Sequence, residues 1–169
     1  MTIQKKNNYN FSEFDEFTTV DTVNHKIYFA TDFHYSKDDL QQKPFIKDDE
    51  ILNLNLKTNT IEFTNLASEK IFKLKPHMGN GVQFVISVDK KPVMNGYFYN
   101  PYSSNGSTWN TIQYDDFKKI KDTTSKLSSY YFSIFRGDGT SNRLGRIKID
   151  FNNYPILLKA LKDSHRLVE

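Results

Sequence analysis

The stretch ILNLNLKTNTIEFTNL, residues 51–66, decides the fold class. Leu52, Leu54 and Leu56 alternate with Asn53 and Asn55. Successive side chains of a strand point to opposite faces, so the three leucines face a core and the two asparagines face water. KTNT then supplies turn residues, and TIEF resumes the alternation with Ile61 and Phe63 inward. Two such runs joined by a polar turn predict a β-hairpin.

The same period recurs on both sides. HKIYFATDF places Ile27 and Phe29 on one face and Tyr28 on the other. The intervening SKDDLQQKPFIKDDE reads as a charged, mobile connection, and IFKLK (71–75) as a further strand ended by Pro76. VQFVISV (82–88) carries apolar residues on both faces, which marks a central strand. DKK turns the chain and PVMNGYFY returns, with Pro92 tolerable at a strand's first residue. YYFSIF (130–135) is a strand, and RIKIDF, with Ile147, Ile149 and Phe151 inward, is predicted to pair with it. YDDFKKIKDTTSKL lies near helical spacing at Phe117, Ile120 and Leu127, but Thr123, Thr124 and the charges oppose a helix.

At the end of the sequence, Tyr154, Leu157, Leu158 and Leu161 form an i, i+3, i+4, i+7 stripe. Asn152 or Asn153 is placed to cap this helix, and Pro155 suits its first turn. The expected fold is α+β: a mainly antiparallel sheet or sandwich of seven or eight strands with the C-terminal helix packed on it. Residues 1–10, polar and rich in Asn and Lys, read as a disordered N-terminal tail, and 11–169 as a single domain. In FSEFDEF, Phe11, Phe14 and Phe17 read as core anchors.

Composition narrows the chemistry. There is no cysteine among the 169 residues, so disulfides and thiolate metal sites are excluded. Lys+Arg 23 against Asp+Glu 20 gives a formal net charge of +3, which is no footprint for a polyanion. The lysines are interleaved with acids, as in KDD and KKIKD, so no basic groove for nucleic acid is expected. No apolar run reaches the roughly 18 residues that suggest a membrane helix. MTIQKKNNYNFSEF lacks the apolar segment of a secretory signal, which favours the cytoplasm over an exported protein whose signal has been cleaved.

No catalytic constellation emerges. His25, His34, His77 and His165 lack metal-ligand spacing. Asp32 and His34 in TDFHYSKDD are two apart and share a face in a strand, with Asp38 and Asp39 following. They are the nearest approach to a metal or acid/base site; a solvated strand end is the plainer reading. Arg136-Gly137-Asp138 is explained by a polar turn. There is no G-x-S-x-G elbow and no phosphate-binding glycine loop. Neither a cofactor nor a metal is expected.

The stretch GYFYNPYSSNGSTWN (96–110) is different. Rigid Tyr and Trp among adaptable Ser, Gly and Asn is the composition of recognition loops. Asn100-Pro101 and Asn105-Gly106 are turn signals. Two readings stand. Tyr99, Tyr102, Ser103, Ser104, Asn105 and Trp109 form a contact surface for a protein or glycan, or Tyr97, Tyr99 and Trp109 are core residues at two strand ends.

The run VQFVISVDKKPVMNGYFYNPYSS, with ILLKALKDSHRL near the end, resembles small uncharacterised proteins of Bacteroidota, several of them lipoproteins. Their pattern carries a Gly where this chain has Lys90, and their lipobox cysteine has no counterpart here. The resemblance implies a hairpin leading into a polar loop and brings no activity or ligand. The function expected is a non-catalytic binding module for another protein, of the bacterial immunity or inhibitor type with a toxin as partner. A carbohydrate-binding or envelope-associated module is one alternative, and a hydrolase or metal enzyme around Asp32 and His34 is the other.

Overall fold

The computed structural model describes residues 1–5, 18–21, 26–29, 40–74, 81–100, 110–113, 129–137 and 147–169. The predicted hairpin is present, as β4 (Ile51–Asn55) and β5 (Thr60–Thr64). Its turn is fixed by Asn55, whose Oδ1 accepts from Lys57 N at 2.9 Å and Thr58 N at 3.0 Å. Such a side chain imitates a backbone turn. The facing of β4 differs from strict alternation. The register shifts between Ile51 and Asn53, so a bulge turns Leu52 outward while Ile51 and Leu54 are buried.

Over its described residues, 71–74, IFKLK is not a strand. Asn65–Phe72 is helix α1, and Lys73 caps its end. The cause is local: Thr64 ends β5 and serves as N-cap, its hydroxyl accepting from Ala67 N at 3.3 Å. Ala67, Ile71 and Leu74 then fall on one buried face at helical spacing.

The second predicted hairpin is β6 (Val82–Val88) and β7 (Lys91–Tyr99). Asp89 and Lys90 both have positive φ, 48° and 62°, as a two-residue hairpin turn of the primed type requires. A parallel neighbour, β8 (Asn110–Gln113), follows, pairing Tyr97 with Thr111 and Tyr99 with Gln113. Gly96 permits that approach: a Cβ there would stand 2.4 Å from the Asn110 carbonyl oxygen and 2.8 Å from the Phe84 ring. β9 (Ser129–Arg136) then lies antiparallel between β8 and β5.

RIKIDF does not form a full strand against β9. β9 is paired with β5 over 129–133 and with β8 over 133–136, and among the described residues of RIKIDF only Ile147 bridges to it, at Arg136. Ile149 and Phe151 are buried as expected, whereas Ile147 is exposed. Asp150 Oδ1 accepts from Asn152 N at 3.0 Å and turns the chain into a 3-10 segment, Phe151–Asn153. The C-terminal helix α2 is Pro155–Asp163, with Tyr154, not Asn152 or Asn153, at its N-cap. Leu157 and Leu161 are buried from it. At its end His165 takes φ +55°, with His165 N bonding Lys162 O at 3.0 Å and Arg166 N bonding Leu161 O at 2.8 Å. This is a Schellman closure. It delivers β10 (Leu167–Val168) parallel to β4.

The start of the chain is a strand, which corrects the expected disorder for residues 1–5. β1 (Thr2–Lys5) pairs antiparallel with β6, and Ile3 is wholly buried. The charged connection is also anchored where described. Leu40 and Ile46 are buried, and Asp48–Glu50 is a 3-10 turn whose Glu50 side chain accepts from Lys47 N at 2.8 Å.

The eight strands form one curled sheet in the order β1-β6-β7-β8-β9-β5-β4-β10, mostly antiparallel. A separate pair, β2 (Thr18–Asp21) with β3 (Lys26–Phe29), confirms the strand read in HKIYF over residues 26–29. One face of the large sheet holds the apolar core with α1 and α2. Phe84 meets Phe98 at 5.0 Å and Phe63 meets Phe132 at 5.5 Å between ring centroids. Aromatic pairs at such spacing add to their burial. The predicted α+β architecture, mainly sheet, is the one observed.

Candidate functional site

The other face of the sheet has a different chemistry. Side chains alternate along strands, so Gln83, Val85 and Ser87 on β6 face away from Phe84 and Ile86. On β7, Asn95, Tyr97 and Tyr99 face away from Met94 and Phe98. The registers align Gln83, Tyr97, Thr111 and Phe135 in one row across four strands. A second row runs Tyr99, Gln113, Ser133, Thr60.

The rows are buried across β6, β7 and β8, where Gln83, Tyr97, Tyr99, Thr111 and Gln113 are each at most 8% exposed, and only half-buried at Ser133 and Thr60. Buried polar groups are held by partners. Gln83 Nε2 donates to Tyr97 Oη at 2.9 Å, while Gln83 Oε1 has no partner among the described residues. Thr111 Oγ1 lies within reach of Phe135 O at 3.1 Å and Gly137 O at 2.9 Å. Asn110, on the core side, donates to Asn95 O at 3.0 Å and to Tyr154 Oη at 2.9 Å, tying β8 to β7 and to the start of α2. Apart from two phenols these rows carry no ionisable side chain. Their chemistry is neutral hydrogen bonding, suited to fixing a frame.

Further along the same face, Glu62 is buried and accepts from Asn53 Nδ2 and Ser129 Oγ. Tyr131, opposite Glu62 on β9, stands exposed. The Glu62 charge, with smaller contributions from burial and a hydrogen bond to the same carboxylate, holds its phenol above the ordinary 10.0.

The residues singled out in the sequence fall as follows. Tyr99 is 1% exposed, a strand residue still in register with Gln113, so its ring is not a surface anchor. Strand β7 ends at Tyr99, the end expected of PVMNGYFY, and Tyr97 and Tyr99 are core residues, the second of the two readings of this stretch. Tyr102, Ser103, Ser104, Asn105 and Trp109 lie outside the described residues. So do Asp32, His34, Asp38 and Asp39, the helical candidate 114–127, and Phe11, Phe14 and Phe17. Arg136 is exposed and Gly137 is buried with φ +89°, while Asp138 is outside the described residues. Among the described residues no group of three His, Cys, Asp or Glu side chains could hold a metal ion. No described helix is long and apolar enough to cross a membrane.

Gln83, Asn95, Asn110 and Gln113 were not singled out by sequence reasoning. The available signal was an amide at an interior strand position flanked by large apolar neighbours. No family model matches this chain, and neither a curated protein nor a solved structure matches it.

Proposed function

We propose that the chain is a non-catalytic binding module that recognises a partner protein, of the toxin-inhibitor type, through residues 100–109. The observation that carries this reading is the frame on either side of that segment. Tyr99 and Asn110 are both buried, in adjacent parallel strands, and Asn110 is bonded to Asn95 and Tyr154. Recognition residues are characteristically carried on connections set by a rigid scaffold. The segment between these two fixed ends holds Tyr102, Ser103, Ser104, Asn105 and Trp109, the aromatic and small polar mixture of a paratope.

In this reading Tyr102 and Trp109 are the anchors, and Tyr99 serves the frame. A photo-crosslinking residue at position 102, introduced in cells of the native host, should capture one defined protein. Trp109→Ala should abolish that capture and weaken binding of the purified partner by about 2 kcal/mol or more, with the melting temperature unchanged. Failure to capture a defined protein, or a melting temperature that collapses with Trp109→Ala, overturns the reading.

A further inference from the structure

The outer strands β1 and β10 end the sheet, yet both are tied to one short strap, Phe45–Glu50. Ile46 exchanges both backbone hydrogen bonds with Ile3, at 2.9 and 3.0 Å. Arg166, just before β10, donates to Asp48 O at 2.6 Å, to Ile51 O at 3.1 Å and to Asp48 Oδ1 at 2.9 Å. Asp48 Oδ1 also accepts from the Met1 nitrogen at 2.6 Å. Glu50 is buried and bonded through both carboxylate oxygens to Lys70 Nζ of α1, at 2.6 and 2.8 Å; the same ammonium reaches Phe45 O at 3.3 Å. The strap thus covers the outer edge of β1, and two carboxylates fasten it. An uncovered edge strand is a template for a further strand, and covering it is one way proteins manage that hazard.

We propose that Phe45–Glu50 is a charge-fastened latch on the β1 edge, and that loss of the Asp48 and Glu50 charges releases it as a unit while the rest of the sheet stays folded. Release bares the N–H and C=O of Ile3 for strand addition. The groups facing Asp48 are the Met1 nitrogen and Arg166; those facing Glu50 are Lys70 and Lys47, with the exposed Asp49 beside both. Burial pushes both carboxyls up. Hydrogen bonds and charge attraction from those partners outweigh it and hold Asp48 below its ordinary 3.8 and Glu50 below 4.5. A depressed carboxylate pKa contributes stability above the unfolded value and loses it as pH falls through the folded one. The latch is therefore closed at neutral pH and opens in acid, below 4.5 for Glu50 and below 3.8 for Asp48.

Amide hydrogen exchange on the full chain tests this. Between about pH 6 and about pH 2.5, protection at Ile3 and Ile46 should fall at least tenfold relative to Phe84 and Ile134. Combining Asp48→Asn with Glu50→Gln should remove the pH step and leave Ile3 and Ile46 weakly protected throughout. If that double variant does not fold, Asp48→Asn alone, at an exposed site, should shrink the step. Loss of protection at all four amides together, no loss at Ile3 and Ile46, or a full step in the variant would overturn the latch.

Discussion

Gln83 and Tyr97 face one another across β6 and β7, amide nitrogen to phenol oxygen at 2.9 Å, inside a layer that leaves each at most 3% exposed. A buried donor deprived of its acceptor suffers the full desolvation cost, whereas removing both partners with similar shape is nearly neutral. Tyr97→Phe alone should therefore lower unfolding stability by about 1–3 kcal/mol. Combining it with Gln83→Met should restore most of that loss. Urea denaturation of the two single variants and the double variant supplies the cycle, and additive losses would show that the pair is not coupled.

Gly96 is required by proximity. A methyl group placed 2.4 Å from the Asn110 backbone oxygen must push β8 away from β7. Gly96→Ala should cost about 2–3 kcal/mol, the scale of overpacking in a close-packed interior. Denaturant midpoints measure this; a change within about 0.5 kcal/mol, the range of ordinary surface substitutions, would contradict the close approach.

Four described residues other than glycine hold a left-handed backbone that glycine adopts freely, Asn59, Asp89, Lys90 and His165; of these Lys90, at φ 62°, closes the β6–β7 turn and His165, at φ 55°, follows α2. The conformation costs an ordinary residue roughly 1–2 kcal/mol, part of which glycine returns as unfolded-chain entropy. Lys90→Gly and His165→Gly should each raise stability by about 0.5–1 kcal/mol, additively, since they sit in separate turns. Melting temperatures of the two variants and their combination check both claims.

Tyr131 titrates late because the Glu62 charge opposes a second negative charge beside it. A raised folded pKa means that the interaction is fully present below the unfolded value of 10.0 and is lost as pH rises through the folded one. Carbon-labelled tyrosine resonances should show Tyr131 ionising above 10.0, and Glu62→Gln should bring it back toward that value. A Tyr131 titration unmoved by Glu62→Gln would remove the contact.

What was legible in the sequence was what is local. The β4–β5 and β6–β7 hairpins announce themselves because each strand's period and its turn residues lie within one short window. The stripe of α2 is legible for the same reason. Thr2–Lys5 offers one apolar residue, Ile3, and nothing in four residues distinguishes a strand from a tail; its partner Ile86 is remote in sequence. The parallel pairs β7 with β8 and β10 with β4 depend on crossovers that no local period records. In α1 the decisive residue was Thr64, a strand end that doubles as a cap, and reading Ile71 onward without it gave the wrong element. At the site, composition identifies a polar segment but leaves Tyr99 between a contact surface and a strand end, because its burial is set by pairing with Gln113 and not by composition.

The position of β10 in the chain has a consequence for biosynthesis. Val168 lies opposite Asn55, and Leu56 N bonds Val168 O at 2.9 Å. Residues that far apart in sequence cannot meet while the ribosome still shields the later one. The flank of β4 therefore waits, unpaired on that side, until position 168 has left the exit tunnel, and a nascent chain stalled earlier exposes a strand edge to its surroundings. Such distant pairings also slow folding, because the loop must close before the contact rewards it.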